Sequence, residues 1–486
     1  MAAVFLLIGS RRVAAWKASL AGVVLALVLG TTVWPLAWRS ALAAAGYGMA
    51  TGLFPIVYII AGSLLLHHLT VVTGWAARFR GSLVQIAEDR HLLLLLLGFC
   101  FAAFLDSTAG FLTPVTVATA LLCGLGVPAL EAASYTLVAA SLPPIFGAMG
   151  IPVLVLADVA QVPLAPLART QAAVAAVLFV GFPSYLTLAF GGRAVLRRLW
   201  PESLAAGLAY SAALWWTVTR VSLYPSALAG AVASLFAIGG VRALRATGHR
   251  PGVKDLWRAA APWWPYWVLM GAVTCWSVPV VSRALGRFTF TVPVPALQGM
   301  AWRVDVLASP GTGILVATAV VAIAGRVTGA QAWEALRLTS AQVRHPLVNT
   351  LAMLALAQVM NASGMTGAVA RTLAGSDGAF AFLSPFLSWL GGAITGSNTV
   401  SNALLGQVQA VTASQLGVDP LSALAFAGAG ASLGKMAAPQ VVSAAAAAAG
   451  IVGSEGRLLG VGLRHGLLWT GFVGGLGVLA SRWFGQ

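Results

Sequence analysis

Charge is what this 486-residue sequence has least of: Asp, Glu, Lys and Arg make up 8% of it, against about 25% in a soluble domain. With 28 basic and 12 acidic side chains the chain cannot dress a water-facing surface, which excludes a soluble globular enzyme, a nucleic-acid binder and a disordered protein together. Cysteine is almost absent. Cys100, Cys123 and Cys275 sit in apolar runs without CxxC spacing, so neither a disulfide framework nor a thiolate metal site is indicated, and they read as small buried apolar residues. The six histidines form no HExxH, and GxSxG and Walker A runs are missing, which argues against a membrane hydrolase or metalloprotease. No metal and no cofactor is expected.

What remains is 59% apolar with 54 glycines and a mean hydropathy of +0.90. That composition predicts an all-α polytopic membrane protein. At ~20 residues per span plus connections, the length allows about 12 to 14 transmembrane helices in one transporter domain covering 1–486. Apolar runs from 18–38 to 460–479 fit helices, interrupted by a Pro- and Gly-broken stretch at 290–312; several are too short to cross at ~1.5 Å per residue and read as half-helices or hairpin arms. The net charge of +16 comes from basic residues scattered between these runs. Arg78 and Arg80, the group Arg193, Arg197 and Arg198, the group Arg242, Arg245, Arg250, Lys254 and Arg258, and the pair Arg337 and Arg344 read as cytoplasmic loops, with 78–90 as an interfacial connector carrying Glu88 and Asp89. The opening MAAVFLLIGSRR lacks the features of a cleavable signal peptide and is too short to span, so it reads as a re-entrant piece or as a first helix that has lost its front.

Two segments interrupt the apolar pattern with glycine and small polar residues at membrane depth: LDSTAGFLTP at 105–114 and ITGSNTVSN at 394–402. Non-helical backbone survives in a bilayer only where protein or a water-filled cavity satisfies its N–H and C=O groups. Broken helices of this kind build substrate sites: the next half-helix aims its N–H groups into the gap, and Ser, Thr and Asn add donors suited to a small carboxylate. A shift of 291 lays Thr108 on Thr399 and Leu125, Gly126 and Val127 on Leu416, Gly417 and Val418. This points to two related halves, roughly 40–200 and 310–486, with the breaks in corresponding places.

Ionisable residues within apolar surroundings are Asp106, Glu131, Arg220, Arg303, Asp305 and Lys435, with Asp158 nearer an interface. Each is costly at depth unless paired or hydrated and so is a functional candidate. Glu131 follows Pro128 at a helix start, where a carboxylate complements the dipole. Asp106, in the first break, and Lys435, in ASLGKMAAPQ, form the pair able to couple a proton to an anion, because substrate binding can exchange the partner of a carboxylate.

Four blocks carry a family resemblance: GFCFAAFLDSTAGFLTPVTVATALLCGLG at 98–126, FGAMGIPV at 146–153, FLSPFLSWLGGAITGSNTVSNALLGQVQAVTASQLGV at 382–418 and GKMAAPQVVSAAAAAAGIVGSEGRL at 434–458. In this order they resemble the lactate permeases, over nearly the whole chain. The resemblance implies proton-coupled uptake of a short 2-hydroxy monocarboxylate (L-lactate, D-lactate or glycolate) across a bacterial inner membrane, by two repeats whose broken hairpins meet near the midplane. Its SNT element also looks like that of carboxylate carriers that work by elevator motions. The chain departs from the family at Asp106, Ser107 and Thr108, where Glu and two small residues are usual, at Asn398 in place of Asp, and at Ala140 in place of Asn. On this reading Ser107, Thr108, Ser397, Asn398, Thr399 and Asn402 supply donors to substrate, Lys435 meets its carboxylate or balances Asp106, Gln409 and Gln440 line the site, and Asp106 couples the proton. A sodium-coupled or otherwise altered carrier of another small organic anion is the alternative within transport, and a polytopic membrane enzyme the one outside it. Oligomeric state is left open.

Overall fold

The computed structural model describes residues 15–84, 89–110, 112–245, 261–297, 300–374 and 379–484. The opening segment, Glu88, Phe111, Arg250, Lys254 and Arg258 lie outside the described residues. The described chain is almost entirely helical. A first series comprises α1 (Ala15–Thr32), α2 (Trp38–Thr51), α3 (Tyr58–Val72), α4 (Trp75–Val84), α5 (Arg90–Thr108), α6 (Thr113–Gly124), α7 (Ala129–Ala139), α8 (Gly147–Ala160) and α9 (Leu164–Arg220). Then come α10 (Ser226–Arg245), α11 (Trp264–Ser277), α12 (Pro279–Leu285) and an antiparallel hairpin of β1 (Phe290–Pro293) and β2 (Ala301–Val304). The last series is α13 (Pro310–Ala324), α14 (Gly329–Ser363), α15 (Met365–Ala374), α16 (Phe380–Thr395), α17 (Asn398–Gln415), α18 (Pro420–Gly434), α19 (Pro439–Ala448) and α20 (Glu455–Phe484).

The last series repeats the order of the first. Trp38–Val72 and Gly329–Ser363 are both 35 residues long, and the starts of this pair, of α7 and α18, and of α9 and α20 share one interval, the 291 positions that also separate Ser141 from Ser432. The matching LGV trios have a local cause. Gly126 and Gly417 take left-handed φ of 85° and 68°, and the next residue closes the turn in the same way in both series, Val127 N–H donating to Leu122 O at 3.0 Å and Val418 N–H to Ala413 O at 2.9 Å. This is a glycine-terminated helix end. Proline then starts the following helix, Asp419 capping α18 through Leu421 N and Ser422 N.

The long helices of the two series cross in opposite directions. Gly48 lies against Leu354, Gly52 against Leu351, and His68 Nδ1 is 3.0 Å from Thr339 Oγ1, so numbers rise along α2 and α3 as they fall along α14. Outside this pair, α1 flanks α14, with Ser19 Oγ donating to Asn349 Oδ1 at 2.5 Å, and α13 flanks α3, with Tyr58 Oη 2.9 Å from Thr312 Oγ1. The 57-residue α9 is itself a hairpin. Ser211 Oγ donates to Ala176 O at 2.7 Å and Ser184 Oγ is 3.2 Å from Ser203 Oγ, so the chain folds back between them, at Gly192, whose φ of 75° and ψ of 179° are open only to glycine.

Four described helices are long and apolar enough to cross a membrane, or up to eight if each bent pair is one span, and 16–32, 113–124, 310–324 and 380–395 are shorter apolar helices. The about 12 to 14 helices expected from length alone are thus divided among full spans, bent pairs, short helices and the two arms of α9. Val24, Val177, Trp215 and Leu468 are exposed, apolar surface suited to lipid. The 290–312 stretch is the β-hairpin followed by the start of α13, and it places Arg303 at the surface; Arg220 is likewise exposed, at the end of α9. Cys275 is exposed and Cys123 half-buried, against the expectation of burial, whereas Cys100 is buried.

Candidate functional site

Four breaks meet in the interior. After α5 the chain turns through Ala109–Gly110, between α7 and α8 through 140–146, between α16 and α17 through Gly396–Ser397, and between α18 and α19 through 435–438. Prolines and glycines cause the breaks: Pro143 and Pro144 in the second, Pro439 after the fourth, and Gly110 and Gly396 with φ of 58° and 66° in the other two. Just past the second break, in the first turn of α8, Ala148, Met149 and Gly150 run consecutively through left-handed φ of 44°, 58° and 74°. Non-glycine residues there cost of order 1–3 kcal/mol each and gather at functional sites.

The breaks enclose a cavity of 60 Å³ lined by Asp106, Gly110, Pro144, Gly147, Ala148, Pro152, Gly396, Ser397, Asn398, Thr399 and Lys435, with Ile60 of α3 and Thr350 of α14. Lys435 Nζ stands 3.7 Å from Asp106 Oδ1, and both side chains are buried, 7% and 2% exposed. A buried pair of this kind survives only because each charge compensates the other. Asp106 Oδ2 has no hydrogen-bond partner among the described residues and points at Gly147, where a Cβ would collide with it. Across the cavity Asn398 Nδ2 donates to Pro144 O at 2.9 Å, while Asn398 Oδ1 has no partner among the described residues. Ser397 caps α17, its Oγ accepting from Val400 N at 3.3 Å, so the helix start and its dipole face the cavity.

At the 291-residue interval Asp106 corresponds to Ser397, and Pro144 to Lys435. The two links between breaks differ in kind, Asp106 to Lys435 being charged and Asn398 to Pro144 neutral, and they are offset by one residue, since Asn398 corresponds to Ser107. On one side the cavity continues into a vestibule of 520 Å³ lined by Trp16, Leu112, Gln342, His345, Asn349 and Gln440 among others, sharing Thr350, Gly396 and Ser397 with it.

The structure gathers Asp106, Ser397, Asn398, Thr399 and Lys435 at the cavity and places Gln440 in the vestibule. Ser107 and Thr108 turn back onto their own helix, donating to Ala103 O and Phe104 O, as short hydroxyl side chains do in apolar helices. Asn402 Nδ2 donates to Pro152 O at 2.9 Å, behind the cavity wall. Gln409 is engaged between α16 and α17, accepting from Ser384 Oγ and donating to Ser384 O and Ser388 Oγ; it and the previous three residues are not part of the cavity lining. Glu131 pairs with Arg90 in the first turn of α7. Sequence reasoning missed the second break as a wall of the site. Its signal was the density of proline and glycine from Pro143 to Pro152, a composition that only a break accommodates.

A helical bundle with membrane-length apolar segments and broken helices around a buried, charge-bearing cavity defines a multi-pass membrane transporter, not an enzyme. The chain belongs to the L-lactate permease family, which it matches over residues 1–482. It is 30% identical to the L-lactate permease of Bacillus subtilis over 94% of this chain and 90% of that protein, and 30% identical to the L-lactate permease of Escherichia coli K12 over 93% and 89%. The glycolate permease of the same E. coli strain is 29% identical over 95% and 90%. Among solved structures, the YdaH transporter of Alcanivorax borkumensis covers 90% of this chain and 87% of its own at 15% identity, with a TM-score of 0.46.

Proposed function

We propose that this protein imports a short 2-hydroxy monocarboxylate, L-lactate, D-lactate or glycolate, together with protons across the bacterial plasma membrane, using two inverted repeats, roughly 40–200 and 310–486. The observation that carries the reading is the buried Asp106–Lys435 pair in the wall of a cavity shared by all four breaks. Family relatives named for lactate and glycolate support the substrate class. The opposed crossing of the 38–72 and 329–363 segments supports inverted repeats, since a two-fold that reverses membrane-spanning helices lies in the membrane plane.

The chemistry follows from what each group lacks. An entering carboxylate takes Lys435 as its counter-ion, with the α17 start, Ser397 and Thr399 as donors, and the amide of Asn398 meets the hydroxyl. Asp106 then stands buried without its cation, and a proton neutralises it. Substrate and proton thus load together, and an anion bound without the proton leaves an uncompensated charge in the protein interior. The 60 Å³ cavity has room for only a few waters on the ~10–15 Å³ that each needs, so loading widens it from the vestibule side.

Uptake of labelled L-lactate into proteoliposomes under an imposed pH gradient, with sodium absent, tests this reading. Accumulation that a protonophore abolishes is the expected result. Uptake that requires sodium would transfer the coupling to that ion, a reading that the neutral Asn398 favours over a carboxylate at the same place.

A further inference from the structure

A second carboxylate lies apart from the cavity, half-buried near the end of α8. Asp158 is on α8, whose first residues, Gly147 and Ala148, line the cavity together with Pro152. Six positions beyond Pro152 place it about 9 Å further along the helix. Its Oδ2 is shielded from solvent and has no hydrogen-bond partner among the described residues.

Around it, polar groups from two other helices meet the end of α8. Asn361 Nδ2 of α14 donates to Val159 O at 3.4 Å. Gln407 of α17, with its amide oriented to donate, reaches Val159 O at 2.8 Å and Ala160 O at 3.1 Å. Tyr47 of α2 is near enough for the charge of Asp158 to act on it; α14 and α17 bring neutral amides, and no ion pair involving Asp158 forms among the described residues. The carbonyl end of α8 carries the negative pole of its dipole, which favours the protonated form of a carboxylate beside it.

The direction matters. Along α14 the order is vestibule at Gln342–Asn349, cavity at Thr350, and then Asn361, about 16 Å beyond Thr350 at ~1.5 Å per residue. Along α17, Gln407 is about 12 Å beyond Thr399. Asp158 and its polar surround therefore lie on the side of the cavity away from the vestibule, in the packed layer that closes the site toward the other membrane face.

We propose that Asp158 is a proton-relay station between the cavity and that closed face: it takes up the proton released by Asp106 when the site opens on that side, and passes it to water. The inference rests on the proton-coupled reading above. While α14 and α17 hold the end of α8, Asp158 Oδ2 is shielded although the residue as a whole is half-buried, and a carboxylate oxygen shielded without a countercharge holds a proton. Parting of α8 from Asn361 admits water and lets the proton go. Because Asp106 remains the site that binds proton with substrate, losing the relay changes rate and leaves the energetics of coupling alone.

The test compares wild type with Asp158→Asn and Asp158→Glu in proteoliposomes, reading three quantities for L-lactate: initial rate of pH-gradient-driven uptake, final accumulation ratio, and counterflow exchange at equal pH. The relay predicts for Asp158→Asn an initial rate at least about tenfold lower, a final ratio and counterflow like wild type, and recovery of rate in Asp158→Glu. A driven rate equal to wild type overturns it, as does a final ratio that collapses while counterflow persists, which would make Asp158 a coupling site in its own right. Absence of counterflow in the wild type itself would instead refute the substrate reading. Treating wild-type protein with dicyclohexylcarbodiimide, which modifies protonated carboxyl groups in apolar surroundings, gives a readout free of folding effects. Modification at Asp158 supports the relay, and its absence across acid to alkaline pH contradicts it.

Discussion

Ser432 Oγ donates to the carbonyl of Ser141 at 2.7 Å, and the two residues are 291 positions apart, the interval at which the helices of the first series recur in the second. The bond joins the second break to the end of α18, just before the fourth. Around this point two links join the four breaks, and the chemistry differs between them. One link is an ion pair, Asp106 with Lys435; the other is an amide on a carbonyl, Asn398 with Pro144. The site is thus charged on one side and neutral on the other.

Removing the charge of Asp106 separates coupling from binding. Asp106→Asn should bring pH-driven accumulation of L-lactate down to equilibration, a ratio near 1, while counterflow persists. Wild-type accumulation in that variant would remove Asp106 from the coupling step.

Lys435 should matter both for folding and for affinity. Lys435→Met leaves Asp106 buried without its partner, a loss of about 3–5 kcal/mol for breaking such a pair, read as a lower thermal midpoint in detergent. The double variant Asp106→Asn with Lys435→Met should recover most of that stability and still fail to bind lactate, since the counter-ion of the substrate is gone.

How much of this the sequence revealed depends on the kind of signal. Low charge and long apolar runs announced a membrane bundle because lipid permits little else. Asp106, Ser397, Asn398, Thr399 and Lys435 stood out since polar residues are rare in such runs, and all five line the cavity. Ser107, Thr108, Asn402 and Gln409 stood out for the same reason, but their partners are backbone carbonyls and neighbouring side chains. Composition cannot tell a ligand donor from a packing one; only the helix face decides. The wall formed by Pro144, Gly147 and Ala148 gave no such signal because its contribution is backbone shape.

That wall can be probed directly. A Cβ at position 147 would collide with Asp106 Oδ2, so Gly147→Ala should displace the carboxylate and lower the stability by about 1–3 kcal/mol, the usual cost of overpacking. Adding Asp106→Ser should relieve that cost. Thermal unfolding of the two single variants and the double variant measures the coupling between the sites, and strict additivity would deny the contact.

Gly192 offers a test of the fold away from transport chemistry. With φ 75° and ψ 179° it lies in a region that side chains avoid, at about 1–3 kcal/mol. Gly192→Ala should lower thermal stability by that order while leaving the lactate affinity of the folded fraction unchanged. A variant as stable as wild type would place the turn between the arms of α9 elsewhere.

The measurement closest to the central claim is the uptake of labelled L-lactate by the purified protein in proteoliposomes, with an inward proton gradient, clamped membrane potential and no sodium. The account predicts uphill accumulation that rises with the gradient, collapses on adding a protonophore and is competed by glycolate. Equilibration without accumulation, or accumulation indifferent to the protonophore, would contradict it.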